Sequence, residues 1–272
     1  MPAVHQLGQY TLRATLARAV LILAAFFASP AAQAALPDEI QVYTDDINEP
    51  GEWGLELHVN TTPRGIREPG WPGEVPTHRG LRITPEFSWG WTRDLELGVY
   101  VPLSINGSNA SMAGLKPRIK WLPIRGDEAT GGYYAGMNLE LSNIQGKFNA
   151  ARHNAELRIM LGHRSRDWLI GVNPVFSWAL SASQEVPGAQ NPQFALNTKI
   201  TRRVFEGVSL GFEYYNEKGR WRDFDPSGQQ PKTVYLVMDV ENRVMPFHVG
   251  VGRGLNDATD RLTLKFIFDV PI

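Results

Sequence analysis

The sequence has no cysteine among its 272 residues. Disulfide bonds are therefore excluded, and an exported chain of this size must be stabilised by other means. An excess of charge of either sign is also missing. The sequence has 28 Asp and Glu and 27 Lys and Arg, which gives a formal net charge of −1. Without a basic excess or an evident basic patch, the composition argues against nucleic acid as a partner.

A long apolar run occurs only at the N-terminus. Two arginines precede AVLILAAFFA (19–28), and Ala32-Gln33-Ala34 places small residues where a signal peptidase reads them. A membrane-anchoring helix needs about 20 apolar residues, whereas Ser29-Pro30 ends this run at about half that length. We therefore expect residues 1–34 to be a cleaved signal peptide that directs export.

No later segment has the length and hydropathy of a transmembrane helix, but alternating patterns are common. In LRITPEFSWGWTRDLELGVYVPL (81–103), apolar residues alternate with polar or small ones on both sides of the short break Thr92-Arg93-Asp94. This period-two pattern predicts a β-hairpin with chemically opposite faces. An exported membrane protein without helical spans must be a closed barrel, because lipid cannot satisfy open strand edges.

Twelve alternating segments follow an acidic leader, residues 35–52. They cover residues 53–61, 80–91, 95–105, 112–122, 132–143, 154–164, 167–180, 192–204, 208–216, 232–242, 246–254 and 261–272. The breaks after even-numbered segments are mostly tight and those after odd-numbered segments are longer, as in barrels with short periplasmic turns and long outside loops. We predict an all-β, transmembrane, antiparallel up-and-down β-barrel of about twelve strands over residues 53–272.

Aromatic residues give an independent indication of a membrane boundary, since Trp and Tyr favour the membrane–water interface. Those at the predicted periplasmic ends are Trp53, Trp91, Trp121, Tyr133, Trp168 and Phe247. A secreted β-sandwich or lipocalin-like barrel would show the same alternation turned inside out. Two observations favour the outer-membrane barrel over the soluble protein. Glycines lie on the polar faces, where they make room in a crowded lumen, and the apolar faces carry no charge at midspan.

The polar faces supply the candidate site. The residues expected to line or block a path through the lumen are Arg82, Glu86, Lys116, Arg118, Lys120, Glu140, Arg158, Lys199, Glu213 and Asp239. The predicted registers place Lys116 near Glu140, and Glu140 near Arg158. Such a ladder is either a structural network of opposite charges, which we favour, or an eyelet that tunes the passage of a polar solute.

Two further segments allow alternative interpretations. The leader (35–52) contains six acids and no base. It is either a plug held against Lys116, Arg118 and Lys120, a segment that binds a periplasmic partner, or a solvated acidic tail, and charge runs are usually solvated. The first outside loop, GIREPGWPGEVPTHRG (65–80), is expected to be an ordinary surface loop, with a ligand gate as the alternative.

An enzyme is the weaker alternative. Some outer-membrane barrels hydrolyse lipids with Ser and His at the bilayer surface, and His163 and Ser165 are a close pair here. Charged Arg164 and Arg166 stand beside them, and no carboxylate that orients the histidine is evident. The mature histidines are scattered without metal-ligand spacing. We predict no catalytic residue, no metal and no cofactor.

Several stretches carry a family resemblance. They are LPDEIQVYTDDINEPGEWGLELHVN (36–60), the hairpin 81–103, GFEYY (211–215), GVGRGLNDATD (250–260) and LTLKFIFDVPI (262–272). The chain resembles a group of mostly uncharacterised proteobacterial outer-membrane β-barrel proteins and is loosely similar to barrels encoded with the phenol meta-cleavage pathway. The resemblance covers nearly all of the mature chain and implies passage of a small molecule across the outer membrane of a Gram-negative cell.

The C-terminus departs from the usual pattern of such barrels. The last strand usually ends on an aromatic residue that the assembly machinery reads, but here Ile272 ends the chain, and Phe266 and Phe268 share its outward parity. We expect three partners: outer-membrane lipid, the assembly machinery and a small-molecule solute, with an apolar or aromatic compound as one candidate. The alternatives are a plugged structural or binding barrel of the envelope and a lipid-modifying enzyme.

Overall fold

A computed structural model describes residues 38–126, 130–181 and 191–272. The predicted signal peptide lies outside these residues. Within them no helix is long and apolar enough to cross a membrane. The strands are Trp53–Arg64 (β1), Gly80–Thr92 (β2), Leu95–Tyr100 (β3), Leu103–Asn106 (β4), Asn109–Met112 (β5), Gly114–Ile124 (β6), Gly132–Ile144 (β7), His153–Arg164 (β8), Trp168–Ala179 (β9), Gln193–Phe205 (β10), Val208–Arg220 (β11), Asp223–Phe224 (β12), Lys232–Val240 (β13), Phe247–Gly254 (β14) and Leu262–Asp269 (β15).

These strands form one closed antiparallel barrel. Strand β1 pairs with β2 on one side and with β15 on the other, so the sheet has no open edge. Both β3 and β4 pair with β2 and make one barrel strand, which is interrupted at Pro102, a residue without an N–H for the ladder. Similarly, β5 and β6 make one strand, while β12 pairs only with the end of β11. The ring therefore has twelve strands, and the predicted fold is confirmed.

The apolar face of the sheet is the outer one. Leu115, Ile119, Leu139 and Leu141 are each more than 40% exposed. Polar residues between them face inward and are buried, as Glu140 shows at 5% exposure. A soluble β-protein would have the reverse arrangement, so the side-chain pattern fits a barrel surrounded by acyl chains.

The aromatic residues expected at the short-turn end lie on the outer surface there. Trp53 is 63% and Tyr133 is 77% exposed. Two outward polar side chains at this end pack against these rings: the Arg202 guanidinium lies 5.4 Å from the Trp168 ring centroid, and the centroid of the His163 ring lies 4.8 Å from that of Tyr133. Because short turns are periplasmic in such barrels, we take this end to be the periplasmic one.

The first outside loop packs more closely than an ordinary surface loop would. Trp71 Nε1 donates a hydrogen bond to the carbonyl oxygen of Gly146 at 2.8 Å, and the Val75 N–H donates to Lys147 at 2.9 Å. Val75 also packs against a buried cluster that includes Phe148. The Phe148 ring lies 5.7 Å from the inward guanidinium of Arg82. Two loops therefore meet above the lumen at the outer end.

Candidate functional site

The barrel brings all ten predicted lumen residues to its inner face. Eight are buried, namely Arg82, Glu86, Lys116, Arg118, Glu140, Arg158, Lys199 and Glu213. Lys120 and Asp239 are half-buried. Because alternate residues of a strand point to opposite faces, parity alone placed these side chains on the inner face.

The expected charge ladder is present in an altered register. Lys116 Nζ lies 3.2 Å from Glu140 Oε1, so their predicted proximity is confirmed. Glu140 lies diagonally from Arg158 on the neighbouring strand, because Arg158 stands opposite Asn138 and Glu140 stands opposite Glu156; the carboxylate partners of Arg158 are Glu156 and Glu39. Lys116 is likewise two residues from the direct partner of Glu140, which is Arg118, and alternation fits either register because its period is two residues.

Arg118 joins two carboxylates on the periplasmic side of the lumen. Its Nε donates to Glu86 Oε1 at 2.6 Å, and its Nη2 donates to Glu96 Oε1 at 2.7 Å. Lys120 Nζ is 3.2 Å from Glu96. Gly98 provides the space, because a Cβ there would lie 2.8 Å from Arg118 Cζ. The glycine on this polar face thus makes room for a large cation.

A second charge cluster lies across the lumen on β10, β11, β13, β14 and β15. Lys199 Nζ donates to Asp239 Oδ1 at 2.9 Å, and His248 Nδ1 is 2.5 Å from the same oxygen. Lys265, which is fully buried, donates to Glu213. In this cluster each carboxylate has an ammonium partner.

The described part of the leader runs inside the barrel. Asp38 is fully buried with its carboxylate 3.4 Å from Lys116 Nζ. Glu39 lies 3.5 Å from both Lys116 Nζ and Arg158 Nη1. The leader backbone is also bound, because Lys265 Nζ donates to the carbonyl of Ile40 at 2.9 Å. These groups come from β6, β8 and β15, so the leader is attached to several sides of the wall.

The middle of the leader is held through its backbone and a ring. The Tyr43 N–H donates to Asn173 Oδ1 at 2.7 Å, while Asn173 Nδ2 donates to the Tyr43 carbonyl at 3.0 Å. The side-chain amide of Asn173, which is fully buried, therefore pairs with the leader much as a neighbouring strand would. The Arg158 guanidinium lies 4.3 Å from the Tyr43 ring centroid, and the Tyr43 and Tyr100 hydroxyls are hydrogen-bonded.

The leader then leaves the lumen at the periplasmic end. Arg164 holds Asp45 with Nε and Nη2, at 2.9 and 2.5 Å. The Asn48 N–H donates to Glu96 Oε2 at 2.8 Å. Gly90 lets the backbone pass, because a Cβ there would lie 2.1 Å from the Glu49 carbonyl oxygen.

The expectation of a solvated acidic tail is therefore wrong for residues 38–48. The leader is a run of acids, but the solvation of such a run depends on what surrounds it. Inside the barrel the acids find buried cations, which are costly to leave unpaired. Of the three expected contacts, Lys116 binds leader carboxylates and Lys120 Nζ donates to the Asp46 carbonyl at 3.4 Å, whereas the hydrogen-bonded carboxylates of Arg118 belong to the wall.

A cavity of about 260 Å³ lies between the leader and the wall at the periplasmic end. Leader residues including Val42 and Asp46 form one side of it. The wall contributes acids and bases, among them Glu56, Lys199 and Asp269. The cavity is large enough for a small molecule or several waters.

His163 and Ser165 have partners other than each other. The Ser165 hydroxyl accepts the N–H of Trp168 at 3.1 Å and donates to the Trp168 carbonyl, so it closes a turn. The His163 ring packs against Tyr133 at the outer surface. This geometry assigns both side chains to the structure of the periplasmic rim.

Three solved structures share the architecture. The chain is similar to the COG4313 outer membrane channel from Pseudomonas putida F1, with a TM-score of 0.57 at 11% identity over 85% of this chain and 99% of that chain. It is similar to the KdgM porin, with a TM-score of 0.52 at 10% identity over 80% of this chain and 99% of that chain. It is also similar to the NanC porin, with a TM-score of 0.53 at 7% identity over 80% of this chain and 100% of that chain. No family model and no curated protein matches the chain.

The fold and the outward apolar face define the chain as a closed twelve-stranded β-barrel of the membrane-spanning type, an architecture that it shares with these outer-membrane proteins. At identities of 7–11%, the likeness extends to the architecture and to no particular solute. The predicted similarity to barrels of the phenol meta-cleavage pathway stays a prediction.

Proposed function

We propose that this barrel is a channel for small solutes across the outer membrane, and that leader residues 38–48 are its plug. The observation that carries the proposal is the pairing inside the lumen. A segment that is not part of the sheet is held by wall cations at Lys116, Arg158 and Arg164. Its hydrogen bonds to the wall are made largely by side chains, which release a segment more readily than a strand ladder does.

The solute that fits this lumen carries polar or charged groups. Removal of the plug would expose Lys116, Arg158 and Glu140 to the path, and a purely apolar molecule gains nothing from such groups while it separates them from water. Aromatic surface is also present, because Tyr215 and Tyr235 meet edge to face at 5.4 Å in the second charge cluster. Of the expected apolar or aromatic solutes, we therefore favour aromatic compounds that bear hydroxyl or carboxylate groups.

Planar-bilayer recording tests the proposal. The full chain is expected to show small or infrequent conductance steps, and a variant that lacks residues 38–48 is expected to show larger and more frequent ones. The matched control shortens the outside loop between β11 and β13 at residues 225–229, which leaves the leader contacts intact. If the deletion variant folds and inserts but conducts no more than the full chain, the channel proposal is wrong.

A plugged barrel that serves the envelope without conducting is the second candidate. The observation that favours it is the extent of charge pairing, because Lys116 alone lies within 3.5 Å of three carboxylates. Under this alternative, deletion of the leader lowers the stability of the barrel and opens no conductance. Measuring the unfolding of the same variant beside its conductance separates the two functions.

A further inference from the structure

Three carboxylates lie in one row across neighbouring strands near the periplasmic end. Glu56 on β1 stands directly opposite Glu86 on β2 and directly opposite Asp269 on β15. Like charges in directly opposed positions of an antiparallel pair are destabilising. This row forms only when the barrel closes, because β1 and β15 are at opposite ends of the sheet in sequence. A cation bound at this row would reduce the repulsion between the three carboxylates.

A histidine completes a compact donor set with two of these carboxylates. His58, two residues from Glu56 on the same face of β1, is fully buried. Its Nε2 lies 3.3 Å from Glu86 Oε2 and 3.5 Å from Glu56 Oε2, and the ligand atoms of the three residues lie within 4.8 Å of one another. Two ligands at about 2.0–2.1 Å from a tetrahedral zinc ion are about 3.3 Å apart. The two spacings from His58 Nε2 are close to this value.

One oxygen of the Glu56 carboxylate has no hydrogen-bond partner among the described residues. This atom, Oε2, is buried. Among the same residues its only ion-pair partner is the His58 ring, and no lysine or arginine lies within ion-pair distance of it. Glu86 is oriented for a shared role, because Arg118 binds its Oε1 and leaves Oε2 directed at His58. A buried carboxylate oxygen without a donor is the position that a metal ion would satisfy.

In the second charge cluster the carboxylates beside a histidine are neutralised by lysines, so we call it the compensated cluster. His248 also contacts two carboxylates, Asp239 and Glu213. There, Lys199 lies 2.9 Å from Asp239, and Lys265 donates to Glu213. Two acids therefore meet two ammonium groups, and no negative charge is left for a metal. Both clusters place one histidine beside two carboxylates, but only the second gives each carboxylate an ammonium partner.

We propose that Glu56, His58 and Glu86 form a binding site for a divalent transition-metal ion, for which Zn²⁺ is the probe. Two carboxylate oxygens and one imidazole nitrogen are a donor set that suits zinc, with a fourth position left for water. Glu56 and Glu86 line the periplasmic cavity, so an ion and its water have a route to the site. The bound ion would join β1 to β2 and neutralise the carboxylate row. The site does not depend on whether the barrel conducts.

Calorimetric titration of Zn²⁺ into the purified barrel, prepared in detergent without a histidine tag and stripped with a chelator, tests the proposal. We expect one saturable site. Glu56→Gln and His58→Gln are each expected to weaken binding at least about tenfold, whereas His248→Gln, the matched control from the compensated cluster, is expected to leave it unchanged. Ca²⁺, which prefers oxygen ligands, should compete poorly.

Two results overturn the site: the absence of saturable Zn²⁺ binding, and binding that is equal in the starting protein and in folded Glu56→Gln. If the variants do not fold, X-ray absorption at the zinc edge of the unsubstituted complex decides. One imidazole nitrogen with oxygen ligands supports the site. A shell of two or more imidazoles refutes it, because only one histidine is present in the cluster.

Discussion

Glu39→Gln is the substitution that most directly tests whether leader docking is an equilibrium. Glu39 lies on the leader and not on the wall, so its charge can be removed without altering the sheet. Its carboxylate is 3.5 Å from Lys116 Nζ and 3.5 Å from Arg158 Nη1. Both cations keep other partners, since Lys116 retains Glu140 and Arg158 retains Glu156. The substitution therefore weakens docking while it leaves the wall charges paired.

The expected size follows from these contacts. A hydrogen bond to a charged group contributes about 1.5–3 kcal/mol. If Glu39→Gln loses the equivalent of one such bond, the ratio of docked to undocked leader falls about 10- to 140-fold, at about 1.4 kcal/mol for each factor of ten. The remaining leader contacts, including the paired hydrogen bonds between Tyr43 and Asn173, are expected to keep the docked form in the majority.

The lack of native cysteine makes this ratio measurable. Val42 is 2% exposed in the docked leader, so Val42→Cys is protected from a water-soluble maleimide until the leader undocks. When docking and undocking are fast, the labelling rate follows the undocked fraction. Adding Glu39→Gln to Val42→Cys is expected to raise the labelling rate by the factor given above.

The control is Glu156→Gln in the same cysteine background. Glu156 is the wall partner of Arg158 at 2.9 Å, so its removal leaves Glu39 attached and should not speed labelling. Equal labelling rates with and without Glu39→Gln would refute the role of this ion pair. Labelling of Val42→Cys at the rate of a fully exposed cysteine, even before Glu39 is changed, would refute docking itself.

Three further substitutions test other parts of the lumen. Lys116→Glu places a carboxylate among Asp38, Glu39 and Glu140, and is expected to lower the free energy of unfolding in urea by about 3–5 kcal/mol. An unchanged urea midpoint with altered ion selectivity would instead indicate an open, solvated eyelet. Lys265→Met leaves Glu213 buried without its nearest ammonium and should cost a similar amount, with partial recovery on adding Glu213→Gln; simple additivity of the two would contradict their coupling. Gly90→Ala directs a Cβ at the Glu49 carbonyl, 2.1 Å away, so the labelling of Val42→Cys should accelerate without any change of charge, and an unchanged rate would contradict the close approach.

The barrel could be predicted from the sequence because a membrane strand repeats a simple rule. Lipid accepts only apolar side chains, so alternate residues indicate which face is outside, as they do in segment 81–103 on both sides of its short break. The same parity placed Glu86, Lys116 and Arg118 inside. The tight breaks then set which strand ends are neighbours. These signals are local, and each can be read within about twenty residues of chain.

Register and leader docking depend on partners that are distant in sequence. Glu140 stands opposite Arg118, two residues from Lys116, and an alternating pattern fits either register equally well. Docking of the leader depends on Asn173 and Lys265, more than 100 residues away, and neither gives a signal within the leader itself. A run of acids is therefore ambiguous until the cations that surround it are known.

The carboxylate row is the clearest case of a site that closure creates. Glu56 and His58 are two residues apart, which alone predicts only a shared face of β1. Glu86 joins them through the β1–β2 register, and Asp269 joins through the seam between the first and last strands. Two separate pairings thus bring three carboxylates into one row, and a shift of one residue at either seam would turn a member toward lipid. The position of His58 beside this row distinguishes a metal site from a set of acids, and the Zn²⁺ titration of Glu56→Gln against His248→Gln measures that distinction.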